Sequence, residues 1–168
     1  MSRVLVLDTS VLCVWLKVPG KDSCGPSDDR WDYSRINALI QKEIKVGALL
    51  VLPIASLIET GNHISHGATL RYEKAQELAT IIGKTADEES PWAAFNNQDA
   101  LWTREELKKI ALEWPSEAAR EMSIGDFTIK TVAEYYAKSG NDVEIVTGDT
   151  GLKQYQPAKP VLVPRRKR

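Results

Sequence analysis

Two cysteines among 168 residues are too few for a disulfide framework, and neither Cys13 nor Cys24 sits at a zinc-binding spacing. Both are expected to be free thiols. Histidine is equally scarce, and His63 and His66 stand at no known zinc spacing with the acids. No stretch approaches the ~18 uninterrupted apolar residues that a membrane helix needs, and the N-terminus runs into a strand-like segment rather than a signal peptide. A soluble, cytoplasmic protein with no membrane partner is the expectation. Internal repeats and low-complexity segments are absent, which excludes solenoids and linkers. There is also no strong charge of one sign: the formal net charge is -1. Its distribution is less even, because Arg165, Arg166, Lys167 and Arg168 hold four of the 22 basic residues and leave 18 against 23 acids before them. A basic tail over 165–168 can bind nucleic-acid phosphates by counterion release or serve only as a solubilising end.

What the chain does contain, at 43% hydrophobic, is enough apolar material for one buried core, so residues 1–168 are read as a single domain. Arg3 to Leu7 is a continuous apolar run after its first residue, and Asp8-Thr9-Ser10 follows with helix-starting residues. This predicts a buried strand feeding a helix over Val11 to Lys17, closed by Pro19-Gly20, with a loop from Lys21 to Asp32. Ile36, Leu39, Ile40 and Ile44 give a helix over Tyr33 to Val46. Ala48 to Leu52 predicts a second strand, and Pro53 opens a helix whose apolar face is Ile54, Leu57, Ile58 and Ile64. Thr69 to Gly83 predicts a further helix with Leu70, Ala75, Leu78, Ile81 and Ile82 inward.

From Thr85 to Met122 the pattern weakens into a helical insertion holding Trp92, Phe95, Trp102 and Trp114, with Thr103 and Glu106 as a capping box for a helix to about Trp114. Ser123 to Ser139 predicts a helix with Ile124, Phe127, Ile129, Val132, Ala133 and Tyr136 as its apolar positions. Val143 to Thr147 predicts a third strand, and Val161 to Val163, between prolines, a fourth at a sheet edge. The element order implies an α/β fold, an open parallel sheet of about four strands with helices on both faces.

In such a sheet ligands bind beyond the carboxyl ends of the strands. Asp8 follows the first strand there and Asp149 the third. Glu59 lies two turns into the helix leaving the second, and Asp126 opens the helix that leads to the third. Four acids at one rim repel one another, so some must protonate or a cation must bind among them. Oxygen-only ligands suit a hard ion, Mg²⁺ or Mn²⁺. Singly, Asp8 reads equally as a helix cap and Asp126 as compensation of a helix dipole. Their joint placement, with Glu59 set among apolar neighbours, favours a metal site.

The segments VLVLDTSVL, LIETGNHI, SIGDFTIKTVAEYYAKSG and VEIVTGDTGL resemble, in order from Arg3 to Leu152, the motifs of the PIN-domain nuclease family. The resemblance implies a PIN-like fold and assigns Asp8, Glu59, Asp126 and Asp149 as catalytic, metal-binding acids. Thr147 and Thr9 or Ser10 become supporting hydroxyls. It further implies a Mg²⁺- or Mn²⁺-dependent endoribonuclease that hydrolyses phosphodiester bonds of single-stranded or structured RNA, in many relatives as the toxin of a toxin-antitoxin pair. The partners to look for are then an RNA substrate, an antitoxin or other protein, and a second copy in a homodimer. The chain departs from the family after Asp149, where Thr150 and Gly151 stand in place of a further acid, and in the 85–122 insertion.

Two other functions compete. A haloacid dehalogenase-type phosphatase also begins with a strand ending in Asp, but needs an acid two residues later, where Ser10 stands. A PIN-like module that binds RNA or protein without cutting is the other. Around the acids, His63 and Asn62 read as substrate contacts or plain surface residues. Trp92, Trp102 and Trp114 read as base-stacking, core or partner residues, and Lys130, Lys138 and Lys153 as phosphate contacts or solvated charges.

Overall fold

The computed structural model describes residues 1–160. Its centre is strand β1, Arg3–Leu7, whose last four residues are buried. Helix α1, Thr9–Trp15, follows at once. The expected loop holds two short antiparallel strands, β2 (Ser23–Cys24) and β3 (Trp31–Asp32). Asp32 then caps helix α2, Tyr33–Lys45, by accepting from the Arg35 amide. Strand β4, Leu49–Val51, leads through Pro53 into helix α3, Ile54–Ser65. Helix α4 is Arg71–Ala86; a 3-10 helix, Phe95–Trp102, and helix α5, Arg104–Ala118, form the insertion. Helix α6 (Ile124–Lys138), strand β5 (Asp142–Val146) and the short helix α7 (Thr150–Lys153) complete the order.

The three long strands pair in parallel in the order β4-β1-β5, with Val6 opposite both Val51 and Ile145. Side chains alternate across a strand, so each strand feeds two cores. Leu5, Leu7, Leu50 and Val146 pack with α1, α2 and buried residues of α3 and α4. Val4, Val6, Val51 and Ile145 pack with Ile129, Val132 and Ala133 of α6. Helices therefore cover both faces. All three strands end at one rim, where the Asp8 amide donates to the Val146 carbonyl at 3.1 Å. At the opposite rim Arg3 of β1 pairs with Asp142 and Glu144 of β5 and with Glu43 of α2.

The outer edge of each flanking strand is partly covered, which reduces the free backbone groups that would template aggregation. Along β4 the insertion supplies a single parallel bridge at Trp92: the Leu50 amide donates to the Pro91 carbonyl and the Ala93 amide to the Leu50 carbonyl. Along β5 the Gln156 side-chain amide exchanges two 2.8 Å bonds with the backbone of Ile145. The sheet is three-stranded among the described residues; the expected fourth strand at 161–163, like the 165–168 tail, lies outside them.

Three apolar readings are corrected. Helix α3 buries Ser56, Thr60 and Ile64 rather than an all-apolar face, and Ile58 is 53% exposed. On α4 the helix begins only at Arg71, so Leu70 precedes it and, with Ala75, faces outward. Ile124 is 51% exposed because it occupies the first turn of α6, outside the clusters that Phe127 and Ile129 enter. Helix α5 also continues past Trp114 through Pro115 to Ala118.

Candidate metal and phosphodiester site

Four elements converge at the carboxyl rim of the sheet. Asp8 sits between β1 and α1, Glu59 on α3, Asp126 in the first turn of α6 and Asp149 at the head of α7. All four line one open cavity of about 300 Å³, together with Thr9, Ser10, Lys21, His63 and both cysteines. A second hollow of about 410 Å³ shares Asp126 and Asp149 as a wall and has Arg120 on its lining. Lys21 lines the first and Arg120 the second, so each cavity that holds acids also holds a cationic residue.

Each acid is held by protein donors through one oxygen. Asp8, 4% exposed, accepts through Oδ2 from the Ser10 and Thr147 hydroxyls, both at 2.7 Å. Thr147 is itself buried and accepts from the Asp149 amide at 2.9 Å, so one hydroxyl links two of the acids. Glu59 Oε2 accepts from Thr9 Oγ1 at 2.9 Å. Asp126 Oδ2 accepts from Ser123 Oγ at 2.8 Å, and Asp149 Oδ1 from the Leu152 amide at 2.7 Å. The other oxygen of each acid has no protein donor among the described residues. Thr9, Ser10 and Thr147 thus all touch an acid, and the choice between Thr9 and Ser10 dissolves: they serve different carboxylates.

Two glycines permit this geometry. A Cβ on Gly125 would stand 2.5 Å from Glu59 Oε1, so the bare backbone of α6 is what lets the Glu59 carboxylate lie beside Asp126. A Cβ on Gly148 would meet Cys24 Sγ and the Gly25 amide at 2.7 Å, so the rim packs directly on the β2–β3 hairpin. Ser10 Oγ accepts from the Gly148 amide at 3.0 Å and closes that contact.

The electrostatics follow from crowding. Burial raises the Asp126 carboxyl above its usual range; the Ser123 hydroxyl opposes this, and the charges of Asp8, Asp149 and Glu59 add to it. Partial desolvation and then Lys21 push the His63 imidazole down, Glu59 opposing. Burial pushes the Cys13 thiol up to about 11, and Cys24 is raised for the same reason, so neither is an activated nucleophile. Both are free, as expected.

The donor set fits a hard divalent cation in its chemistry: carboxylate oxygens, each half-engaged, with hydroxyls beside them. It does not form a closed ligand cage. Among the described residues no three His, Cys, Asp or Glu side chains converge into a metal-binding group. The hydrogen bonds to Ser10, Thr9, Ser123 and Leu152 hold the acids around a cavity rather than on one point.

Sequence reasoning missed Lys21, which stood in a presumed loop, and read Ser123 only as a helix start although its hydroxyl also donates to Asp126. It left His63 open; the structure sets it in the cavity wall. The three tryptophans separate: Trp92 is buried, the Trp114 indole donates to the Met122 carbonyl, and Trp102 is 39% exposed. Lys130 lies beside Glu134, and Lys153 pairs with Asp29. No helix among the described residues is long and apolar enough to cross a membrane. Comparisons with models of protein families, with curated proteins and with solved structures find no match to this chain.

Proposed function

We propose that the chain is a divalent-metal-dependent endoribonuclease of the PIN type, with Asp8, Glu59, Asp126 and Asp149 as its catalytic acids. One observation carries the reading: four carboxylates from four separate elements line one open cavity at the carboxyl rim of a parallel sheet. Helix capping accounts for Asp8 and Asp149 one at a time but not for the gathering of four acids, because like charges brought together cost stability unless something compensates them. Each acid is also oriented by a dedicated donor, the second layer of support that a metal site requires.

Asp8, Asp126 and Asp149 would hold Mg²⁺ or Mn²⁺ through their free oxygens, and Glu59 would bind metal or orient the attacking water. The bound ion supplies a water of lowered pKa and offsets charge on the leaving oxygen. The chain's own part is positional. Thr147 fixes Asp8 and the Asp149 amide together, Thr9 fixes Glu59, and Lys21 and Arg120 share the acids' cavities, where they would meet a phosphodiester strand. The hydroxyl of Ser10 is spent on Asp8, which leaves no acid for the phosphatase alternative at that place.

RNA as substrate, a toxin role with an antitoxin partner, a homodimer and a cytoplasmic location rest on the motif resemblance. A non-cleaving RNA- or protein-binding module is the second reading, favoured by the open spacing of the acids. The deciding experiment is cleavage of single-stranded RNA with Mg²⁺ or Mn²⁺ by wild type and Asp8→Asn, alongside calorimetric titration of Mn²⁺. Metal-dependent cleavage and Mn²⁺ binding, both lost in the variant, are expected. Equal Mn²⁺ affinity in the two proteins would remove the site.

A further inference from the structure

Helices α3, α5 and α6 and the 3-10 helix line a further open cavity of about 300 Å³, almost wholly apolar. Its walls are Ile58, Trp102, Leu107 and Ile124, each 39 to 53% exposed. Glu59 and Gly125 line it too, and Glu59 also lines the acid cavity. The groove and the candidate active site are therefore two sides of a single carboxylate. Ile54, the far wall on α3, is five residues from Glu59, about 7.5 Å along the helix.

We infer that this groove is a subsite for one unpaired nucleobase of the strand whose phosphodiester lies at the acids. The inference rests on the nuclease reading above. A base beside the reacting phosphate needs an apolar slot with an aromatic face within one nucleotide of the metal acids, and stacking on such a face is tolerant of base identity. Trp102 supplies the face, and Ile58 and Ile124, exposed against the usual pattern of their helices, supply the slot. The volume stands at the lower limit of ligand cavities and suits one ring system. Glu59 is the sole charged residue on the lining, and it is the one shared with the acid cavity. The bare Gly125 leaves room for that carboxylate, since a side chain there would meet it.

The subsite explains why the Trp-containing insertion packs where it does. It places Trp102 beside the one wall that borders the acids, whereas Trp92 and Trp114 are engaged in packing and hydrogen bonding. It also narrows the substrate to a single strand, because a paired base cannot leave its stack without cost.

The test is a series of fluorescein-labelled oligouridylates carrying one abasic position in turn, measured for binding by anisotropy and for cleavage with Mn²⁺. Wild type should lose about tenfold in affinity when the abasic position falls in one register next to the cut. Trp102→Ala should lose a similar factor on the intact strand and become indifferent to that abasic position, while Trp102→Phe keeps most of the affinity. Thermal unfolding of both variants controls for folding, which half-exposure of the indole should preserve. If Trp102→Ala binds the intact strand as wild type does, or the two losses simply add, the subsite is overturned and the groove is left to an apolar protein partner. Base-dependent binding through Trp102 without cleavage would sustain the subsite and remove the nuclease reading. Cleavage indifferent to Trp102 would do the reverse, and neither binding nor cleavage would remove both.

Discussion

Replacing Gly125 by Ala separates stability from activity more cleanly than any change to an acid. The new Cβ would stand 2.5 Å from Glu59 Oε1, and an ordinary contact begins near 3.4 Å, so the carboxylate must retreat by ~0.9 Å. The obstructing atom is the end of a flexible side chain, so the fold yields there rather than breaking. Alanine in a helix gains up to about 1 kcal/mol over glycine. Retreat of Glu59 weakens the 2.9 Å bond from Thr9, a net loss of about 1 kcal/mol. The two nearly cancel, and urea unfolding should place Gly125→Ala within about 1 kcal/mol of wild type. Displacement of a catalytic group by ~1 Å costs on the order of 100-fold in rate. Cleavage should fall by that order with the fold intact, and Gly125→Ser should behave alike. Cleavage at the wild-type rate, with equal stability, would refute the role of Glu59 at this position.

Thr147→Val keeps shape while deleting the hydroxyl that donates to Asp8 and accepts from the Asp149 amide. It should cost about 2 to 4 kcal/mol in urea unfolding; a cost below about 0.5 kcal/mol would show that the link between the acids is not a structural one. The pH dependence follows from Asp126, whose carboxyl is raised first by burial, with the charges of Asp8, Asp149 and Glu59 adding to it. A raised folded pKa gives stability present below the unfolded value of ~4 and lost as pH climbs through the folded one. Millimolar Mg²⁺ should therefore raise Tm more at about pH 7.5 than at about pH 4.5, and Asp126→Asn should narrow the difference. Equal shifts at both pH values would separate the carboxylates from the metal. Deleting residues 165–168 should weaken RNA binding and flatten its salt dependence while saturated turnover stays near wild type; an unchanged salt slope would make the tail a solubilising end.

The frame of the molecule was legible because a continuous apolar run marks a strand buried on both faces and a period of 3.6 marks a helix with one buried side. Leu5, Leu7 and Val4, Val6 sort to opposite faces as a buried parallel strand requires, and Phe127, Ile129, Val132, Ala133 and Tyr136 form the inner side of α6 as their spacing predicts. The gathering of Asp8, Glu59, Asp126 and Asp149 in one cavity wall was legible from the rim rule alone. The β2–β3 hairpin was not, since a two-residue strand carries no periodicity, and Lys21 was lost with it. The bridge at Trp92 was equally hidden, because a single backbone pairing leaves no side-chain pattern.

Helix α3 shows most clearly how a pattern can be right in period and wrong in face. Ile54, Ile58 and Ile64 suggested an apolar stripe that trapped Glu59, yet the fully buried positions are Ser56, Thr60 and Ile64. The small hydroxyl residues let α3 approach α1 closely enough for Cys13 to lie against Thr60 and for Thr9 to reach Glu59. Leucine or isoleucine at 56 or 60 would fill that contact with bulk and push the helices apart, carrying Glu59 away from the other acids. The displaced apolar residues, Ile54 and Ile58, then have no core to enter and become walls of the groove that Glu59 also lines. Helix approach, acid placement and the apolar groove are thus consequences of the same choice of small side chains on one face of α3.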